Sequence, residues 1–161
     1  MVGKDPRGNL ARELDKYRGI PFLRGSNSVN WSSEKKGLDC IGFIYAYYTG
    51  LGIKMPSEFK LDSGEIVNSK TYIKLFTICG KGDRDFYVFK YYDLFGEEID
   101  PSKCIIGDAV LIKNNEQPHL IPAIYGGNQI SFACFVNTGV QAFACGKDIN
   151  MPIIKARKVF K

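Results

Sequence analysis

Apolar and polar positions change their spacing along this chain, and the change divides it into a helical first part and a strand-rich second part. The sequence CIGFIYAYYTGLGIKMP begins at Cys40, and Phe43, Ile44, Tyr47, Tyr48 and Leu51 recur behind it at helical spacing. This predicts a helix from Cys40, ended by Gly50 or Gly52, with Pro56 closing the segment. Upstream, LARELDKY predicts a short helix through Tyr17, capped by Asn9 and stopped by Gly19. Between the two helices lies GIPFLRGSNSVNWSSEKKG, whose Pro, Gly, Ser and Asn content reads as a long loop. A second apolar stripe, Ile66, Ile73 and Phe76, predicts a further helix from Glu65 to Ile78.

From there the pattern turns to strands. FYVFKYY (86–92) is rich in Val and aromatics, and IIGDAVLIKNN (105–115) reads as a turn and a strand. HLIPAIYGGNQISFACFV (119–136) reads as a hairpin with GGN at its tip, and Pro122 implies a bulge or an edge position. MPIIKARKVF supplies a last strand. Helices first and strands later predict an α+β fold, a helical layer on an antiparallel sheet, and no linker divides residues 1–161 into more than one domain.

Composition narrows the function classes. The chain has 161 residues, 45% apolar and 24% charged, which suits one globular domain with a core. Its apolar runs are far short of the ~20 residues of a membrane helix. MVGKDPRGNL lacks the apolar core of a signal peptide, so the expectation is a cytoplasmic product, or one exported by a leaderless route. The net charge of +5 comes from scattered Lys and Arg with no zinc-finger, RRM-like or basic-zipper pattern, which points away from nucleic acid. Five cysteines without CxxC or CxH spacing, and a single histidine, argue against a metal cofactor and against a complete disulfide framework.

What remains is thiol chemistry. A thiolate is favoured at a helix N-terminus, where main-chain N–H groups and the helix dipole stabilise negative charge. Cys40 stands where loop becomes helix, with Asp39 suited to the cap, and His119 is the one histidine that can serve as base. The residues alone leave two readings open: a catalytic Cys–His pair, or a small apolar Cys in the core and a loop histidine. Cys79, Cys104, Cys134 and Cys145 read as structural.

The order of segments resembles the NlpC/P60 family of papain-like cysteine peptidases, which cleave peptide stems of the bacterial cell wall. GIPFLRGSN matches the family's GTPYVWGG segment and LDCIGFIYAYYTGLGIKMP its DCSGFV helix. IGDAVLI matches PGDLVFF, and HLIPAIYGG matches HVGIYLG. The likeness runs from about Tyr17 to the C-terminus. It is also similar to amidase effectors and phage tail proteins of that family, which can lack a signal peptide.

The resemblance implies a Cys-bearing helix packed on an antiparallel sheet, Cys40 as nucleophile and His119 as base. It implies a peptidoglycan substrate and, for an effector-type member, a cognate inhibitor protein. The match is incomplete at four places, one of them the His strand, where HLIPAIY has two residues more than HVGIY. Phe22 stands where the family has a Tyr, Ile41 follows the Cys where the family has Ser, and Ala133 falls at the third polar position. Ser131 and Asn128 are the candidates left for that third role. Phe22, Arg24, Trp31, Asp39 and Ile41 are the candidate cleft residues; Trp31 reads equally as a loop anchor and Arg24 as solvent-facing. Two alternatives follow: a catalytically weakened or inert relative that binds cell wall or a protein partner, or an acyltransferase of the related lecithin–retinol type.

Overall fold

A computed structural model describes residues 6–22, 37–38, 40–55, 58–60, 66–68, 89, 91–114, 120–135, 137–146 and 149–160. Helix α1 spans Pro6–Tyr17 and α2 spans Cys40–Gly50. The first begins at Pro6, three residues before the expected Asn9 cap, because proline's fixed φ and missing N–H suit a first helical turn. It stops at Gly19, whose φ is +87°.

The α2 helix carries no charge and buries more than one stripe: Cys40, Ile41, Gly42, Phe43, Ile44, Tyr47 and Tyr48 are all inside. A helix apolar on nearly every side belongs between two layers. Its end is a Schellman turn, in which Ile53 N–H donates to the Tyr48 carbonyl at 3.0 Å and Gly52 N–H to that of Thr49 at 3.0 Å. Gly52 takes the left-handed position at φ +85°. Tyrosine hydroxyls tie the helix to its neighbours: Tyr47 donates to the Leu10 carbonyl of α1 at 3.3 Å, and Tyr48 to the Gly107 carbonyl at 2.7 Å.

Among the described residues, eight strands follow. Strands β1 (Glu58–Lys60) and β2 (Ile66–Asn68) form an antiparallel pair. The other six are β3 (Glu97–Ile99), β4 (Ala109–Lys113), β5 (Leu120–Gly127), β6 (Ile130–Phe135), β7 (Gly139–Ala144) and β8 (Ile153–Lys158). They form one antiparallel sheet in the order β3-β8-β4-β5-β6-β7. The α+β expectation holds, as do the 105–115 turn and strand, the hairpin and the last strand. The hairpin tip is Asn128–Gln129, one step beyond GGN, with both residues left-handed at φ 52° and 61°, as a tight two-residue turn requires.

Two expectations fail. Ile66–Asn68 is strand, not the start of a helix; the rest of the proposed 65–78 helix lies outside the described residues. Phe89, Tyr91 and Tyr92 are helical, not strand. Tyr91 and Tyr92 are adjacent and both fully buried, which strand alternation forbids on a single face and a helix permits. Both rings lean on Phe95, with centroids 5.3 and 5.4 Å away, the i+4 and i+3 contacts of a turn.

The sheet buries both faces. Towards α2 it presents Ala109, Leu111, Ile124, Phe132, Cys134 and Val140. On the other face Val110, Ile112, Ala123, Ala133, Cys145 and Ala156 form a second core. This alternation decides which residues reach Cys40.

Candidate active site

Cys40 is the first residue of α2, so the thiol stands at the positive end of the helix dipole. It is 6% exposed and part of the core, not at an open first turn as its sequence position suggests. Ile41, expected at the cleft, is fully buried.

The approach to Cys40 is built from three distant segments. Gly19–Ile20 lies against β7: Gly19 N–H donates to the Val140 carbonyl, and Val140 N–H to that of Ile20, both at 2.8 Å. Gly139 makes this close approach feasible, at φ +74° and with no side chain to meet the Ile20 carbonyl. Two residues on, Leu38 N–H donates to the Pro21 carbonyl at 2.9 Å, and Phe22 pairs with Leu38 as a parallel bridge. The GIPF segment and the nucleophile helix, separated in sequence by a long loop, therefore meet two residues before Cys40. From the sheet, the Cys134 thiol donates to the Leu38 carbonyl at 3.1 Å.

Ser131 and Asn128 are not brought to this place. Ser131 is fully buried on the far face of β6, its Oγ 3.2 Å from Cys145 Sγ. Asn128 is exposed at the hairpin tip. The eight-residue β5 separates that tip from Leu120, the residue after His119 in sequence, by about 23 Å at the usual strand rise. Asp39, His119, Arg24 and Trp31 lie outside the described residues.

Among the described residues, the titratable groups with shifted values around the site are tyrosines and thiols. Burial raises Tyr92 well above the usual phenol range; its hydrogen bond with Ala123 pulls the other way, and the charges of Tyr91 and Cys40 add to the rise. On the far face burial pushes the Cys104 thiol up to about 11, with Asp108 and Cys145 adding to it. Burial also raises Cys145, against the hydrogen bond from Ser131. Among the described residues no three His, Cys, Asp or Glu gather as a metal site, and no helix is long and apolar enough to cross a membrane.

No family model matches the sequence, and no curated protein matches it. Solved structures do. RipD from Mycobacterium tuberculosis aligns with 98% of this chain and 100% of its own, at 18% identity and a TM-score of 0.56. RipD is a non-catalytic NlpC/p60 domain protein adapted to peptidoglycan binding. An NLP/P60-family protein from Staphylococcus aureus, described as similar to lipoprotein, aligns with all of this chain at 20% identity and a TM-score of 0.53. This chain spans 44% of that protein's length.

The chain has the NlpC/P60 fold.

Within that fold, the helix-on-sheet arrangement stands as the sequence resemblance implied, and the GIPF segment meets Leu38, two residues before Cys40. Sequence reasoning passed over Cys134 and Tyr92. The signal for Cys134 was present in the alternation of ISFACF, where it shares a face with Ile130 and Phe132. Nothing in FYVFKYY marks Tyr92, because its partner Ala123 is distant in sequence.

Proposed function

We propose that this chain hydrolyses amide bonds in peptidoglycan stem peptides, with Cys40 as nucleophile and His119 as general base. The observation that carries the reading is Cys40 at the first position of α2, buried in the core that joins this helix to the sheet of an NlpC/P60 fold. The thiolate adds to the amide carbonyl carbon, and main-chain N–H groups at the helix N-terminus stabilise the oxyanion. The C–N bond then breaks and His119 gives the amine its proton, leaving a thioester on Cys40. Water attacks that thioester as His119 takes a proton, and the acid and the Cys40 thiol are released.

A second reading is a domain that holds stem peptides without cutting them. Three features favour it: Ser131 turned towards Cys145, Phe22 without a hydroxyl, and likeness to the non-catalytic RipD. Digestion of purified sacculi separates the two. Soluble stem-peptide fragments released by the wild type, and none by Cys40→Ala with an unchanged circular dichroism spectrum, support hydrolysis. Equal release by both overturns it. Sacculus binding with no release by the wild type selects the second reading.

A further inference from the structure

Among the described residues Lys155 is the one buried cation, 7% exposed. It stands on β8 opposite Leu111, so it shares the sheet face that packs towards α2. Three side chains of the 89–98 segment surround its ammonium. Nζ is 2.5 Å from Asp93 Oδ1 and 3.3 Å from Glu98 Oε1, and 4.3 Å from the centroid of the Phe89 ring. Arg157, two residues along the strand, has other partners: its guanidinium donates to the Phe95 and Gly96 carbonyls, both at 2.9 Å. Asp93 is fixed from its own side, because Tyr91 and Tyr92 just before it are fully buried.

The geometry points to a covalent modification at this place: an intramolecular isopeptide bond between Lys155 and Asp93, formed by the fold itself with Glu98 as proton carrier. An amine, a carboxyl group in contact with it, a second carboxylate and a covering aromatic ring are the parts such a condensation needs. Glu98 takes a proton from the ammonium and frees the nitrogen lone pair. Nζ then adds to Asp93 Cγ, one bond beyond the oxygen it already meets. The C–O bond breaks, and its electron pair leaves with the oxygen. Two of the three ammonium protons end on that oxygen, which departs as water, and the third stays on the amide nitrogen. Glu98 finishes as the carboxylate it began as, and no oxidant or activating group is required.

Dilute amines and carboxylates do not condense in water. Groups that a fold holds in reacting contact behave as if at roughly 10⁵–10⁸ M, which favours the joined state. Phe89 covers the nitrogen, while Asp93 and Glu98 are 52% and 64% exposed, so the released water has an exit. The bond joins β8 to the turn that carries Tyr92, and the covalent loop from Asp93 to Lys155 encloses β3 to β7. It is independent of the chemistry of Cys40.

Intact mass spectrometry of the full chain, purified folded and then denatured, tests the bond. The wild type is expected one water lighter than its sequence, and Lys155→Met and Asp93→Ala at full sequence mass. Glu98→Gln, which cannot take the proton, is expected to stay mostly uncondensed. Tandem mass spectra of a protease digest of the wild type are expected to show a branched peptide joining Asp93 to Lys155. Wild type at full sequence mass, both fresh and after weeks at neutral pH, overturns the proposal. So does a water loss that persists in Lys155→Met, or one that maps to a succinimide in an unbranched peptide. A branch from Glu98 to Lys155 overturns the choice of Asp93, and complete condensation in Glu98→Gln overturns the role of Glu98. If the variants do not fold, the presence or absence of the branched peptide in the wild type decides alone.

Discussion

The Tyr92 hydroxyl serves both main-chain groups of Ala123. Ala123 N–H donates to it at 3.1 Å, and it donates to the Ala123 carbonyl at 3.3 Å. The β5–β6 register runs from Gly127↔Ile130 to Ile124↔Phe132, and Ala123 is the next residue along β5. A side chain from the 89–92 turn thus supplies hydrogen bonds to the sheet from outside it. Tyr92→Phe keeps the ring and removes both bonds. The expected loss is roughly 1–3 kcal/mol, or roughly 3–9 °C in melting temperature. Unchanged thermal unfolding would mean that water or another donor replaces the hydroxyl.

Gly139 permits the contact that brings the GIPF segment to the site. A Cβ at this position would run into the Ile20 carbonyl, and the residue's φ of +74° is strained for alanine. Gly139→Ala is expected to cost more than about 1 kcal/mol in urea unfolding. It should also speed amide exchange at Val140, whose N–H bonds Ile20. Slow exchange retained at Val140 would argue against this tie.

Ser131 faces away from Cys40, so Ser131→Ala should leave sacculus digestion and the pH midpoint of Cys40 alkylation unchanged within error. Stability falls by about 1 kcal/mol as the contact with Cys145 is lost. A tenfold fall in digestion with the fold intact would return Ser131 to the catalytic machinery.

Cys104 gives a pH-dependent control. Its thiol is pushed up to about 11, by burial first and then by the charges of Asp108 and Cys145. A raised thiol pKa favours the protonated form, so reactivity is absent at neutral pH and appears as pH climbs towards that value. At pH 8 only about one molecule in a thousand carries the thiolate, and alkylation should run roughly a hundredfold slower than at an ordinary cysteine. Asp108→Asn removes one repulsive charge and moves the onset to lower pH. Rapid alkylation of Cys104 at pH 8 would contradict this environment.

How much of the site was legible varies with the reach of the interaction. The α2 start at Cys40 and its glycine-terminated end were readable, because caps and helical spacing act within a few residues. The Ile66 segment was not, because a short apolar run fits strand and helix alike until a partner strand is present. The Tyr91–Tyr92 pair looked like strand because aromatics are common there; Phe95, three and four residues on, is what makes a turn profitable. Ser131 rested on which sheet face looks at His119 and Asn128 on a slipped register; only the position of α2 shows which of the two faces lies beneath Cys40.

Local pattern was enough to predict the helix that starts at Cys40, the hairpin and the last strand, the α+β class and the nucleophile candidate, but not the Ile66 strand or the Tyr91–Tyr92 turn. Those predictions follow from local spacing, capping and turn chemistry, and from the resemblance of four motifs in order. Tertiary structure alone decided that β8 enters the sheet between β3 and β4, that Cys40 is buried, and that Cys134 faces its helix while Ser131 turns to Cys145. The physical reason is that a strand's alternation defines two faces but does not name the one that is covered. The helix that packs against the sheet settles it, through contacts between residues far apart in the chain.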